Sequence, residues 1–470
     1  MESIKFISQV NLDQVIILGK DIFQQKKDSF TTIKINKRQY QSIVGFGGAF
    51  TDATGINIRS LPEGAQKKLL ESYFGENGIK YSICRVPIGG TDFSTRPYSY
   101  DDHPNDVNLE HFELQQEDFF NKIPFIKEAK TLRNNNLKLI ASAWTAPPWM
   151  KTKNIYTGYA LLKEENYQLW ANYAIKFFDE YKKHDIDFWG MTTGNEPMDG
   201  FYSHTHSLIN AMGWVPIMQN KWIKENLGPS LRESVHKDIK ILIHDDDRLT
   251  VPYVVPLMLN DETTLKYIDG VALHWYWDAQ VPPDVLSLTK SNRKDVFLLS
   301  TESCNLCIFL DGYLEYDAIG WIDWNMALNL TGGPTYIDYL ADSPIIVNAT
   351  AQEFYKQPMF YALGHFSKFV IPGSVRLDIS CNHQQENNIK ALAFLRPDNL
   401  IALVVFNKLV NILQTISKVV TNIFSGSINI SVQVENDNFY SSPVDVEANS
   451  VYSVLFPKEA EKKKVSGNFS

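Results

Sequence analysis

Between about residue 45 and about residue 329, short apolar runs alternate with longer helical or loop stretches, the pattern of parallel strands joined by crossovers. Eight runs read as strands, beginning near Val44 (VGFGGAF), Tyr81 (YSICRVPIGG), Leu137 (LKLIASAW), Phe188 (FWGMTTGNEP), Lys240 (KILIHDD), Asp269 (DGVALHWY), Val296 (VFLLSTES) and Ile319 (IGWIDWN). Each ends in polar, aromatic or glycine residues rather than in more aliphatics. A (β/α)8 TIM barrel reads this way, because its interior is packed aliphatic and its chemistry sits on the loops after the C-terminal strand ends. Outside this region lie FTTIKIN near the start and ALAFLRP, LIALVVFNK, INISVQV and SVYSVLF between Ala391 and Phe456, separated by Asn, Asp, Gly and Pro. These predict antiparallel strands. Neither flank alone supplies enough strands for a sandwich, so the expected organisation is α/β: a barrel over 45–365 with a discontinuous β-sandwich domain from 1–44 plus 366–457. The remainder, 458–470, is a charged tail.

A chain of 470 residues with 44% hydrophobic and 21% charged composition is an ordinary globular protein, large enough for one big domain and a smaller one. The net charge of -9 provides no basic face for phosphates, so no nucleic-acid partner is expected. Four cysteines, Cys84, Cys304, Cys307 and Cys381, are too few for a disulfide scaffold. Cys304 and Cys307 form a lone C-x-x-C without the second pair a zinc site needs, and neither a metal nor a cofactor is expected. The first residues lack an uninterrupted apolar core, because Asn11, Asp13 and Gln14 break it, and no run reaches the ~20 apolar residues of a membrane span. Read literally, this is a soluble, unsecreted chain. The N-x-S/T sequons at Asn329, Asn348, Asn429 and Asn468 pull towards the secretory route.

Two carboxylates stand out. Glu196 lies in TTGNEP at the end of the fourth predicted strand, and Glu302 in LSTES at the end of the seventh. Strand ends four and seven face each other across a barrel mouth. Glycosides are cleaved by such a pair: one carboxyl protonates the leaving oxygen, and in retaining enzymes the other attacks the anomeric carbon from about 5–5.5 Å away. Asn195 is placed to point into the same mouth, where its amide can reach a sugar 2-hydroxyl. Tyr276, in HWYWD beside the strand of Glu302, carries a phenol able to hydrogen-bond the nucleophile. His274 in that run reads equally as a packed core histidine. The aromatic content of 13%, with 10 Trp and 22 Tyr, suits a sugar site, since flat rings cover the apolar face of a pyranose.

The segments GFGGAFTDA, ICRVPIGGTDFSTRPYSYDD, ASAWTAPPWMKT, NEP, HWYWD, GWIDWNMALN, GGP, DSPIIV and YKQPMFYALGHFSKFVIPGS together resemble the glucosylceramidases of glycoside hydrolase family 30. The resemblance runs from about Gly45 to the C-terminal strands. It implies a barrel plus a β-sandwich and hydrolysis of glucosylceramide with retention of configuration. It also implies action in the lysosome, assisted by a saposin-type activator and an anionic lipid surface. Carried over motif by motif, it makes Glu196 the acid/base and Glu302 the nucleophile, with Asp92, Trp144 and Trp324 holding the glucose hydroxyls. Arg85 orients the carboxylates, and Asn195, His274 and Tyr276 complete the substrate site.

Departures from the family matter too. The cysteine-rich N-terminal segment and signal peptide of the family are not found, and Tyr339 stands where an Asn lining the glucose pocket is expected. The link Ser303 to Ile319 is short for a barrel that takes roughly 30 residues per βα unit. With Gly312 in its middle, it predicts a seventh helix that is absent or stunted. Three readings stay open: a glucosylceramidase, the same fold acting on another β-linked sugar such as xylan or a β-1,6-glucan, and a catalytically impaired glycolipid-binding paralogue or truncated isoform.

Overall fold

The computed structural model describes residues 15–17, 31–201, 208–289, 295–304, 310–337, 339–382, 389–407, 428–434, 444–446 and 450–457. The charged tail, Cys307 and the Asn468 sequon lie outside them. The chain divides into two compact units, 44–363, and 1–43 with 364–470.

The first unit is a closed barrel of eight parallel strands, each paired to the next in chain order and the last to the first. They are β1 (Gly45–Ala49), β2 (Ile83–Ile88), β3 (Lys138–Ala143), β4 (Gly190–Thr192), β5 (Lys240–Asp247), β6 (Gly270–His274), β7 (Phe297–Glu302) and β8 (Ala318–Asn325). Each begins within two residues of its expected start. These segments become strands because they are buried on both faces, by the barrel interior and by the outer helices, which favours near-continuous apolar runs. Ile83, Ile140, Leu242, Ala272, Leu299 and Ile322, from six different strands, meet as one interior cluster. The glycine-rich β1 has a steric reason: a Cβ on Gly47 would sit 1.5 Å from the carbonyl oxygen of Ile83, so the approach of β1 to β2 admits only hydrogen there.

Among the described residues of the crossover from β7 to β8 there is one helix, Leu310–Glu315. The expectation of a missing or stunted seventh helix falls partly on 305–309, outside the described residues. Beyond β8, a small sheet of Ala327–Asn329, Ile345–Asn348 and Glu353–Lys356 follows, which the hydrophobic pattern alone did not announce.

The second unit is the β-sandwich domain. Its strands run in the order Val15–Ile17, Ser450–Pro457, Leu400–Asn407, Ile389–Leu395, Val375–Cys381, Thr31–Ser42, Ile428–Val434 and Val444–Val446. Thr31–Ser42 pairs antiparallel with Val375–Cys381 and parallel with Ile428–Val434, and Val15–Ile17 pairs with Ser450–Pro457, so N-terminal strands complete a domain otherwise built from the C-terminal part of the chain. Ile33, Ile35, Ala391, Ala393, Leu403 and Val405 form its core.

Candidate active site

Short β4 ends at Thr192, and the chain then turns through Gly194 (φ 144°) to Glu196, which adopts a left-handed φ of 38°. A glutamate held in this region is strained, and such strain persists only where neighbours over-determine it. Here they do: the N–H of Asn195 donates to Ala143 O (2.8 Å) on β3 and that of Glu196 to Asp245 O (2.9 Å) on β5. Glu302 is the last residue of β7. A carboxylate oxygen of Glu196 and one of Glu302 lie within 4.8 Å of each other across the mouth.

Each carboxylate has its own cation. On Glu302, Arg85 Nη1 donates to Oε2 and the Tyr276 hydroxyl to Oε1 (2.5 Å). On Glu196, Oε1 lies 2.8 Å from His274 Nδ1. Burial pushes the Glu196 carboxyl well above the usual carboxylate range; His274 opposes this, while Asp199 and Glu302 add to it. For His274, burial alone would lower the pKa, but the charges of Glu302 and Asp245 and the hydrogen bonds to Asp245 and Glu196 outweigh it and raise the imidazole well above its ordinary value. The strand ends thus set up a carboxyl that keeps its proton 4.8 Å or less from a carboxylate paired with a guanidinium.

Beneath both pairs lies Asp245, a residue the sequence did not single out. A bulge in β5 between His244 and Asp246, with His244 at φ 77° and Asp245 at φ 51°, turns this carboxylate into the barrel, where it is completely buried. It accepts from Arg85 Nη2 (2.7 Å), Ser142 Oγ (2.7 Å), Thr192 Oγ1 (2.6 Å) and Thr301 Oγ1 (2.7 Å), and His274 Nε2 stands 3.1 Å away. Burial opposes its charge, but Arg85, His274 and the hydroxyls hold its carboxyl far below the usual range. The one available signal was the run of three aspartates closing KILIHDDD.

The remaining expected residues gather at the same mouth. Asn195 accepts at Oδ1 from Arg85 Nη2 (2.8 Å). Trp144 and Trp324 stack at 5.1 Å and Arg85 lies over both rings, 4.8 and 5.6 Å from their centroids. Phe93 and Cys304 pack into the same cluster, making an apolar wall. Asp92 is buried nearby, and its carboxyl is pushed up to about 8 by burial and by the charge of Glu302. Tyr339, 52% exposed, stands at the rim: its phenol is raised by burial and by the charges of Cys304, Asp92, Glu196 and Glu302. His274, expected among the substrate residues, is engaged with carboxylates. Both ring nitrogens are spent on carboxylates and the side chain is fully buried, leaving neither for a hydroxyl.

Glu196, His274 and Glu302 are the one group among the described residues whose ligand atoms approach closely enough for an ion. Their chemistry does not suit one. A metal ligand must be a neutral imidazole with a free lone pair, whereas His274 has both nitrogens committed and its pKa raised, and Arg85 already neutralises Glu302.

Comparison with known proteins agrees with the barrel and the sandwich. The Glycosyl hydrolase family 30 TIM-barrel domain matches residues 43–318 and 308–370, and the Glycosyl hydrolase family 30 beta sandwich domain matches 373–454. The two barrel stretches overlap at 308–318, the end of the β7 to β8 crossover and the first residue of β8. "Lysosomal acid glucosylceramidase" of Mus musculus is 40% identical over 397 residues, 79% of this chain and 76% of that one. "Putative glucosylceramidase 4" of Caenorhabditis elegans is 41% identical over 405 residues, 80% and 77% of the two chains. The solved structure of SrfJ from Salmonella typhimurium superposes with a TM-score of 0.81 at 25% identity, covering 93% of this chain and 95% of that one. No helix among the described residues is long and apolar enough to cross a membrane.

Proposed function

Because the chain belongs to glycosyl hydrolase family 30, we propose that it is a retaining β-glucosidase that hydrolyses glucosylceramide to glucose and ceramide, with Glu196 as acid/base and Glu302 as nucleophile. The observation carrying this reading is the separation of the two carboxylates. Oxygens within 4.8 Å match the ~5–5.5 Å of retaining glycosidases and leave no room for the water that an inverting enzyme seats between carboxyls ~6.5–9.5 Å apart.

In the first step Glu302 attacks the anomeric carbon while Glu196 delivers its proton to the glycosidic oxygen, so the C–O bond to ceramide breaks as a glucosyl ester forms. Burial keeps Glu196 protonated until then, and His274 stabilises the carboxylate left behind. In the second step Glu196 removes a proton from water, which attacks the same carbon and releases Glu302 with the β-configuration restored. Arg85 and Tyr276 hold the nucleophile in line, Asp92 hydrogen-bonds glucose hydroxyls, and the Trp144 and Trp324 wall covers the apolar face of the ring. Because the acid must stay protonated and the nucleophile ionised, activity is bell-shaped in pH with its maximum on the acidic side, which fits a lysosomal setting. Ceramide is a two-chain lipid held in a bilayer, so the same reading includes an anionic lipid surface and a saposin-type activator that presents the head group.

Identity of about 40% to glucosylceramidases over some four fifths of the chain favours this substrate over xylan or a β-1,6-glucan. The presence of both glutamates together with Asp92, Trp144 and Trp324 argues against an impaired binding protein. The test uses a cyclitol epoxide shaped like glucose, which a carboxylate opens at the position of the anomeric carbon. Peptide mapping is expected to find the label on Glu302, and NMR to find β-glucose released first from glucosylceramide. A label on another carboxylate, or initial α-glucose, overturns the assignment.

A further inference from the structure

We propose that Asp245 is a positioning residue of the glycosidase reaction: its buried carboxylate holds His274 as the cation that faces Glu196 and Arg85 as the cation that faces Glu302. The proposal rests on the roles of Glu196 and Glu302 given above and assigns what makes their partners permanent.

The hydrogen-bond inventory carries it. Asp245 receives donors on both oxygens: His274 Nε2 and Thr301 on Oδ1, Arg85, Ser142 and Thr192 on Oδ2. A carboxyl surrounded by so many donors must be an acceptor on every side, hence ionised. His274 Nε2 therefore always carries its hydrogen. The protons left to titrate belong to the pair formed by His274 Nδ1 and Glu196, whose Oε1 lies 2.8 Å away: it holds two when His274 is cationic and Glu196 protonated, and one after the first is lost to solvent. With His274 cationic, Nδ1–H donates to Oε1, and the acidic proton of Glu196 sits on Oε2, free for the leaving oxygen. With His274 neutral, Nδ1 becomes an acceptor and draws the Glu196 proton onto Oε1, away from the substrate. Asp245 selects the first arrangement.

Other carboxylates also face His274. Glu302 on β7 stands 4.0 Å from Nδ1, Glu196 and Asp199 follow β4, and Asp246 and Asp247 end β5; Arg85 is the cation beneath them. They do not substitute for Asp245. Burial pushes Asp246 up to about 7 and Asp247 up to about 6, and raises Asp199 as well, so at acidic pH these groups hold protons. Asp245 alone touches Nε2 and alone is driven far in the opposite direction. The same carboxylate contacts Arg85 Nη2 while Nη1 of that guanidinium reaches Glu302, so one charge braces both halves of the reaction.

The test is the pH profile of kcat/KM for a fluorogenic aryl β-glucoside and for an alkyl β-glucoside, with the full chain and its Asp245→Asn variant. Removing a negative charge next to the His274 and Glu196 pair makes its first proton easier to lose. The alkaline limb is expected to move acid-ward by about 1–3 pH units, and the rate loss to be larger for the alkyl glucoside, whose leaving group needs the proton. A uniform fall in rate with an unmoved limb overturns the proposal. Thr301→Val, an isosteric change, covers the case in which Asp245→Asn does not fold. It removes one donor from Oδ1, concentrates the charge on His274 and is expected to shift the limb alkaline-ward; an unmoved or acid-ward limb overturns the proposal. The wild-type chain separates the two levels of inference: if it neither hydrolyses the glucosides nor takes the cyclitol label on Glu302, the functional reading itself is wrong.

Discussion

Asp92→Asn should make the protein more stable at neutral pH while impairing its activity. In the folded chain the Asp92 carboxyl is pushed from 3.8 up to about 8, first by burial and then by Glu302; its own N–H, that of Phe93 and the charge of Arg85 pull the other way and lose. A carboxyl whose folded pKa lies above its unfolded one stabilises the fold fully below about pH 4, and that contribution is lost as pH rises towards 8. Between pH 5 and pH 8 the folded state holds close to one proton more than the unfolded chain at this site. At roughly 1.4 kcal/mol per pH unit, the loss is on the order of 4 kcal/mol. Asparagine keeps an oxygen for the two backbone donors and has no charge to bury, so the variant lacks this slope. For a unit as large as 44–363, about 2 °C of midpoint per kcal/mol converts the difference to roughly 8 °C. The assay is differential scanning fluorimetry of both proteins from pH 5 to pH 8. The difference in midpoint matters more than either curve, because Asp246, Asp247 and Asp278 also titrate in this window and are common to both. The variant is expected to gain on the wild type steadily with pH. Parallel curves would show that Asp92 ionises freely in the fold and refute the reasoning.

Two further changes probe other parts of the molecule. Glu196→Gln should abolish turnover of glucosides with poor leaving groups yet still allow an activated aryl glucoside to form the glucosyl ester, with azide rescuing the second step as β-glucosyl azide; equal loss on both substrates without rescue would make Glu196 structural. Gly312→Ala, in the helix Leu310–Glu315, should stabilise the chain by about 0.5–1 kcal/mol, because an added Cβ meets Pro283 at an ordinary 3.4 Å and no backbone atom; a lowered thermal midpoint would contradict that helix.

The barrel was legible because its physics is written in runs. Each strand is buried on both faces, so it appears as an uninterrupted apolar segment, and each ends where the barrel opens, so the composition changes there from aliphatic to polar or aromatic. ICRVPIGG and LKLIASAW show both signals, and the strands begin at Ile83 and Lys138. The N-terminal strand Thr31–Ser42 was placed with the C-terminal group by counting alone, since a few strands cannot close a sandwich. Weaker cues carried less. Ala327–Asn329, Ile345–Asn348 and Glu353–Lys356 are three or four residues each, too short for a period to register.

The chemistry separates along the same physical line. Glu196 and Glu302 could be read because a charged residue at the open end of an apolar strand has few structural reasons to be there. Asp245 could not, although its geometry is as specific. Its neighbours Asp246 and Asp247 have the same side chain, and alternation along β5 would assign the inward position by parity. The bulge between His244 and Asp246 breaks that parity: with two successive residues at positive φ, one extra residue enters the strand and the carboxylate turns to meet Arg85. What selects the bulge is the set of donors waiting inside, Ser142 on β3, Thr192 on β4, Thr301 on β7 and the guanidinium from β2, none of which is near Asp245 in sequence. His274 follows the same rule. Taken alone it is a buried histidine in an apolar run, and only the two carboxylates that meet its nitrogens, Glu196 after β4 and Asp245 on β5, set it apart. Residues that perform the bond-breaking steps must meet the substrate and so mark strand ends, whereas residues that set their charge are defined by partners on other strands and become visible only once the barrel is closed.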